Sequence, residues 1–155
     1  MKMDFGEVEE FLSTLHLSYH VPGDDFTRAG EASGDVKKKL KRLGYDKDAI
    51  RRISIAMYEG EINMVIHAGG GEALVEIDQD QVEIVLVDHG PGIEDVEQAM
   101  QAGWSTAPDN IRSLGFGAGM GLPNMKNYTD EMRIDSVLGE GTKVVMTVYA
   151  PKKGK

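Results

Sequence analysis

No cysteine occurs in this chain of 155 residues. A chain without thiols forms no disulfide, carries no thiol nucleophile and offers no thiolate ligand to a metal ion. Its four histidines do not occur at the spacing of zinc ligands, so we predict no zinc site. Thiol chemistry and thiolate metal sites are thereby excluded.

Long apolar runs and an excess of basic residues are missing as well. No stretch approaches the roughly 20 apolar residues of a membrane-spanning helix, and the N-terminus has no signal-peptide pattern. We therefore expect a cytoplasmic protein that does not contact a membrane. The formal net charge of −9 at pH 7 disfavours nonspecific binding to nucleic acid, because polyanions attract basic surfaces.

The length and the apolar content of 41% predict a single domain, residues 1–155, with its own core. Hydrophobic periodicity and turn residues predict strands at 16–21, 73–77, 82–87, 131–137 and 143–149, and helices at 25–43, 50–68, 93–100 and 122–129. This order is not the alternation of a doubly wound parallel sheet. We predict an α+β two-layer sandwich, in which a mixed, mainly antiparallel sheet carries helices on one face.

Four glycines at alternate positions, Gly115, Gly117, Gly119 and Gly121, precede a predicted helix. Alternating glycine lets backbone N–H groups curve around an anion at a helix N-terminus, where the helix dipole also favours negative charge. The loop is therefore predicted to hold phosphate. A mobile surface loop could have the same sequence, and this stretch alone does not decide between the two interpretations.

An apolar, β-rich run at 82–87 ends in Asp88, which is followed by Gly90 and Gly92. A carboxylate at the mouth of a buried strand can accept a hydrogen bond from the exocyclic amine of adenine. The two glycines let the chain bend closely around a flat base. The arrangement indicates purine recognition, while the simpler interpretation is that Asp88 only starts a turn.

The predicted helix at 50–68 is apolar over most of its circumference, yet Glu59 and Asn63 share one face of it. A carboxylate can take a proton from an attacking hydroxyl or water, and an amide oxygen can complete the shell of a Mg²⁺ that bridges phosphates. The alternative is a solvated polar stripe. Glu61 shows that acidic residues also occur on other faces of this helix.

The order of these three elements, Glu59 with Asn63, then Asp88, then the loop at 115–121, resembles the GHKL superfamily of ATP-binding domains. A fourth element, the stretch from Gly139 to Thr142, is similar to another box of that superfamily. The small size and the motif Ala-x-x-Glu-x-x-x-Asn-x-x-x-His at 56–67 most resemble bacterial anti-sigma factor and switch-protein serine kinases. The resemblance covers about residues 17–150, and it implies the Bergerat ATP-binding fold.

The resemblance implies ATP and Mg²⁺ as cofactors and assigns a role to each element. Asp88 would bind adenine, Asn63 would hold Mg²⁺, and the glycines at 115–121 would wrap the phosphates. Glu59 would accept the proton from an attacking serine or threonine. In the family the hydroxyl of a threonine at the position of Thr142 supports the adenine-binding aspartate through water.

The function implied is a serine/threonine-protein kinase that regulates transcription or a stress response by switching partners. The phosphoacceptor would be a small anti-sigma-antagonist protein of the STAS type, and a sigma factor could be the second partner. A homodimer and a monomer are both compatible with the resemblance. The roles of residues 1–14 and of Arg112, placed in a predicted lid that could reach a γ-phosphate, are left open.

A second class of function fits the same residues. The chain could be a binding module that senses ATP or ADP and switches partners without phosphorylating them, because nucleotide binding needs Asn63 and Asp88 while catalysis also needs a base at Glu59. The ATPase half of a histidine kinase is disfavoured, because His16 and His20 lie in a strand-like stretch rather than in a dimerisation helix.

Overall fold

The computed structural model describes residues 14–24, 26–101 and 121–151. Five strands form one sheet in the order β1-β2-β3-β5-β4, and every neighbouring pair is antiparallel. The strands are β1 (Leu15–Pro22), β2 (Gly70–Ile77), β3 (Gln81–Asp88), β4 (Glu131–Val137) and β5 (Gly141–Tyr149). The helices are α1 (Glu31–Arg42), α2 (Lys47–Ala68), α3 (Val96–Ala99) and α4 (Gly121–Asn127), and a 3-10 turn spans Phe26–Arg28.

The core lies between one face of the sheet and the long helices. Alternate residues of β3 are fully buried, namely Val82, Ile84 and Leu86, and they join Ile53 and Met57 of α2 in a single apolar cluster. Strand alternation and helical periodicity therefore direct apolar side chains into the same layer. The predicted α+β two-layer fold is confirmed, and the described sheet is antiparallel throughout.

Helix α2 packs closely on the sheet at Gly60. A Cβ atom at this position would lie 2.1 Å from Leu86 Cδ1, a distance that no real side chain tolerates. Glycine thus lets the helix backbone pack directly against the Leu86 side chain of β3. Because Glu59 and Asn63 flank this contact on the same helix, the approach fixes their height above the sheet.

The predicted helix at 25–43 is interrupted, which corrects the boundary expected from periodicity. Residues Phe26–Arg28 form the 3-10 turn, and α1 begins only at Glu31, after Gly30 at φ +102°. No side chain of α1 itself caps the helix. The cap comes from α2 instead, where the Glu61 carboxylate accepts hydrogen bonds from Gly30 N (2.8 Å) and Ser33 N (2.7 Å).

Strand β2 begins three residues earlier than predicted. Gly69 ends α2 in a left-handed conformation, as the glycine run suggested, but Gly70 and Gly71 already pair with Pro22 and Val21 of β1. A glycine pair in a strand gives little propensity signal, so only the pairing with β1 reveals it.

Within the described residues, no helix has both the length and the apolar character needed to cross a bilayer.

Glu61 is only 1% exposed and is therefore not part of a solvated stripe. We predict that Glu61→Ala lowers the free energy of unfolding by about 2–3 kcal/mol, because it leaves two N–H groups at the start of α1 without an acceptor. Urea unfolding monitored by circular dichroism measures the change. The exposed Glu94→Ala is the control and should shift stability by less than about 0.5 kcal/mol. An equal effect of both variants would contradict the capping role.

Candidate functional site

The predicted site residues lie on two sides of the C-terminal half of α2. Glu59 and Asn63 project from α2 toward α4, whereas Asp88 ends β3 near the last turn of α2. Of the glycines predicted to wrap phosphate, Gly121 lies within the described residues, as the first residue of α4. Gly115, Gly117, Gly119 and Arg112 lie outside the described residues.

The Asp88 carboxylate is held by one of its two oxygens. Its Oδ1 accepts hydrogen bonds from Gly90 N (3.0 Å) and Thr142 N (3.2 Å). The first bond starts the turn after β3, and the second ties that turn to β5. No described residue donates a hydrogen bond to Oδ2. The half-buried carboxylate is therefore fixed in direction and retains an acceptor for a ligand that donates an N–H.

The turn after Asp88 packs tightly on both sides. A Cβ atom on Gly90 would lie 2.5 Å from the Cβ atom of Ala68, and one on Gly92 would lie 2.6 Å from the carbonyl oxygen of Val137. Gly92 also has a φ of +81°, which other residues rarely adopt. Both glycines are required by contacts within the protein, so their bare backbone shapes this turn whether or not a base stacks against it.

Three polar side chains lie side by side on neighbouring strands at this end of the sheet. Asp88 on β3, Thr142 on β5 and Ser136 on β4 are direct cross-strand neighbours. The Thr142 and Ser136 hydroxyls are 2.8 Å apart, and Ser136 Oγ accepts from Ile93 N at 2.7 Å. The direct contact from Thr142 to Asp88 is made by the backbone N–H. Thr142 thus orients the carboxylate through its main chain and connects it to Ser136 through its hydroxyl.

Ser136 was not among the predicted site residues. The signal was present, because β4 alternates Met132, Ile134 and Ser136 on its inward side, and a serine that continues an apolar series needs a hydrogen-bond partner. Its partner Ile93 N lies in the segment after Gly92. Ser136 therefore anchors the chain that leaves the Asp88 turn.

The start of α4 rests against the polar face of α2. Asn124 Nδ2 donates to Glu59 Oε1 at 3.3 Å, and Asn63 Nδ2 lies 3.8 Å from Met125 Sδ. A Cβ atom on Gly121 would lie 2.6 Å from Asn63 Oδ1. Any larger residue where the predicted phosphate loop enters α4 would force the Asn63 amide to move, because that amide occupies the space of a side chain.

Asn124 also went unnoticed in the sequence. It lies three residues after Gly121, so both share one side of α4, and an amide on the side of a helix that packs onto Glu59 is the signal that was available. Its amide orients one oxygen of the Glu59 carboxylate. The other oxygen, Oε2, accepts no hydrogen bond from the described residues.

Burial lowers the pKa of His67 below its ordinary value, and the nearby negative charge of Asp88 opposes part of this shift. His67 lies one helical turn after Asn63 on α2. The ordinary pKa of histidine already lies below pH 7, and burial lowers the pKa of His67 further, so the imidazole is neutral at physiological pH. The Asp88 carboxylate therefore has no cationic partner in His67.

The family model described as the histidine kinase-like ATPase domain matches residues 25–148. The chain belongs to this family. The matched range contains Glu59 with Asn63, Asp88, the glycine loop at 115–121 and Thr142, so it includes all four sequence elements on which the GHKL resemblance was based. The predicted membership is confirmed.

Curated relatives place this ATPase domain among the anti-sigma factor kinases. The anti-sigma F factor of Clostridium beijerinckii is 38% identical over 105 residues, which is 64% of this chain and 70% of the relative. The serine/threonine-protein kinase RsbT of Bacillus subtilis is 35% identical over 108 residues, covering 67% of this chain and 75% of the relative. The predicted resemblance to anti-sigma factor and switch-protein kinases is confirmed.

Solved structures agree on the fold of this histidine kinase-like ATPase domain. The RsbU and RsbW domains of Rv1364c from Mycobacterium tuberculosis match with a TM-score of 0.58 and 18% identity, over 90% of this chain and 33% of that one. The mycobacterial sensor histidine kinase MprB matches with a TM-score of 0.50 and 18% identity, over 88% of this chain and 98% of that one. This chain thus spans about a third of the first structure.

We predict that His67 makes the stability of the domain depend on pH. Its pKa is lower in the folded than in the unfolded state, so the unfolded state binds the proton more readily and stability falls as the pH drops below about 6.5. His67→Gln should flatten the curve of unfolding free energy against pH between pH 7.5 and 5. Urea unfolding at a series of pH values tests this, and parallel curves for the two proteins would contradict it.

Proposed function

We propose that this chain is an ATP-dependent serine/threonine-protein kinase of the anti-sigma regulatory type, which phosphorylates a small partner protein. The observation that carries the proposal is the pairing of Glu59 and Asn63 on one face of α2, directly against Gly121 at the start of α4. A candidate base and a candidate metal ligand thus lie where the predicted phosphate loop joins its helix. The names of the relatives supply the reaction class.

The Asp88 turn fits adenine. The fixed carboxylate retains Oδ2 as an acceptor for the exocyclic amine, and Thr142 and Gly90 hold the other oxygen. Specificity for a purine amine follows, because an unpaired buried acceptor costs about 1–3 kcal/mol when a ligand lacks the matching donor. The phosphates would extend from there toward Gly121, and we propose from the sequence that Gly115, Gly117 and Gly119, outside the described residues, help to wrap them.

Asn63 is the residue that would hold Mg²⁺. Its Nδ2 is directed at Met125 Sδ, which leaves the amide oxygen for a hard cation that prefers oxygen ligands. When bound, Mg²⁺ would neutralise charge on the phosphates. The neighbouring Gly121 adds no side chain that could displace it.

Glu59 would act as the base in the transfer. A serine or threonine hydroxyl of the partner would attack the γ-phosphorus, forming a new O–P bond while the bond between the γ-phosphorus and the bridging oxygen of ADP breaks. The hydroxyl proton would go to the free Oε2 of Glu59. Asn124 would keep the carboxylate pointing at the acceptor, and positioning of this kind supplies much of the catalysis in phosphoryl transfer.

The partners follow from the names of the relatives. Anti-sigma factor kinases imply exchange between a sigma factor and an anti-sigma antagonist, and we propose a STAS-type antagonist as the phosphoacceptor. A phosphate adds about −1.5 to −2 charges at the contact, and in a chain with a net charge of −9 that addition would weaken the complex by repulsion. We further propose a cytoplasmic location; the resemblance is compatible with a homodimer and with a monomer.

Asp88→Asn is predicted to weaken ATP and ADP binding by at least about tenfold, or 1.4 kcal/mol. Asparagine keeps an oxygen for Gly90 N and Thr142 N but presents an NH₂ group where the adenine amine needs an acceptor. Calorimetric titration of the nucleotides measures the change. Asp135→Asn, on an exposed position of β4, is the matched control and should bind as the wild type does. Full affinity in Asp88→Asn would remove Asp88 from adenine recognition.

Glu59→Gln is predicted to keep nucleotide affinity and to lower phosphoryl transfer by about 10²–10⁴-fold, the usual contribution of a general base. To measure transfer, the wild type or the variant is incubated with radiolabelled ATP, Mg²⁺ and each purified STAS-type protein of the same organism, and the label on that protein is counted. Glu94→Gln is the control at an exposed position. Unchanged transfer in Glu59→Gln would remove the residue from its role. Nucleotide binding without transfer by the wild type would instead support a nucleotide-sensing module.

A further inference from the structure

An open groove of about 620 Å³ lies between α1 and α2, and Glu59 forms part of its lining. Ile55 and Tyr58 supply much of the wall on α2, and Gly34 and Lys37 line it on α1. The groove does not include Asn63 or Asp88. Among the described residues, this second concave surface shares only the proposed base, Glu59, with the nucleotide site.

The face of α2 explains why the two surfaces meet at Glu59. Ile55, Glu59 and Asn63 follow one another at intervals of four residues and therefore form one stripe along the helix. Asn63 at one end contacts Gly121 and Met125, while Ile55 at the other end faces the groove. A hydroxyl group held in the groove beside Glu59 would approach the phosphates from the side opposite to Asp88.

The α1 wall of the groove leaves room for a polypeptide backbone. A Cβ atom built on Gly34 would meet nothing within 4 Å, so bare backbone faces the open space. Tyr58 belongs to the opposite wall, and its Cε2 atom would lie 3.9 Å from a Cβ atom built on Gly30. An apolar centre with polar groups at the rim is the arrangement found in protein–protein interfaces, so the groove suits a segment of protein.

The charges at the rim favour an acidic segment. Lys37 lies one turn after Gly34, is exposed, and makes no ion pair with any described residue. The other charged rim residue, Glu31, is compensated by Arg28, whose Nε lies 3.2 Å from its carboxylate. The uncompensated charge at the α1 rim is therefore positive, and the negative charge of Glu59 lies on the opposite wall, on α2.

We propose that this groove binds the segment of the protein substrate that carries the phosphoacceptor serine or threonine, with an acidic side chain of that segment paired to Lys37. The inference rests on the proposed kinase function. The acceptor hydroxyl lies beside Glu59, apolar neighbours of the acceptor contact Ile55 and Tyr58, and the backbone passes Gly34. Lys37 thereby contributes to the choice of substrate without contacting the nucleotide.

Gly34→Trp tests the groove, because a Cβ atom on Gly34 meets nothing within 4 Å and the indole extends into the open space. Glycine is a poor helix residue, so the variant should fold at least as stably as the wild type. We expect the KM for a STAS-type protein that the wild type phosphorylates to rise at least tenfold, while ATP affinity stays unchanged. Gly34→Ala should behave as the wild type does, and Lys38→Trp places the same bulk on α1 outside the groove.

Lys37→Glu tests the charge. We expect it to raise the KM for the same protein at least fivefold with kcat and ATP affinity retained, and Lys37→Arg to restore the wild-type value. Lys38→Glu, an equal charge change on an exposed neighbouring position, is the control. Wild-type KM values in both Gly34→Trp and Lys37→Glu would overturn the groove while leaving the kinase intact. Absence of transfer by the wild type itself would overturn the proposed function and this inference with it.

Discussion

The contact of α2 with β3 at Gly60 is the constraint on which the rest of the structure depends. Because Gly60 has no side chain, the α2 backbone packs against the Leu86 side chain of β3, and the polar residues around Gly60 acquire different environments. Glu59 reaches the groove and Asn124, Glu61 is driven inward to cap α1, and Asn63 meets Gly121. A helix held further from the sheet would not place Glu61 against α1 and Asn63 against α4 at once.

The pairing of the strands around Asp88 adds a second, independent constraint on the site. Asp88, Thr142 and Ser136 are neighbours only because β5 lies between β3 and β4 and pairs antiparallel with both. A shift of one residue in that register would turn the Thr142 hydroxyl away from Ser136. The direction of the Asp88 carboxylate is therefore a property of the sheet, and the helices contribute the remaining half of the site.

Much of the fold could be predicted because its signals are local. Alternating apolar residues identify strands such as β3, and the apolar circumference of α2 identifies the long central helix. The element boundaries that were predicted wrongly lie where a distant group decides the local structure. The start of α1 at Glu31 depends on the Glu61 carboxylate, and the strand conformation of Gly70 depends on β1. Neither effect leaves a periodic pattern.

The sequence by itself determined the family, the order of elements and the identity of the polar residues that stand out of apolar context, Glu59, Asn63 and Asp88 among them. These features are readable because residue type and spacing along one element encode them. Only the tertiary structure decided which side chains meet, namely Asn124 with Glu59, Ser136 with Thr142, and Gly34 with open space. Those contacts join elements far apart in the chain, and their geometry comes from packing and strand register rather than from local spacing.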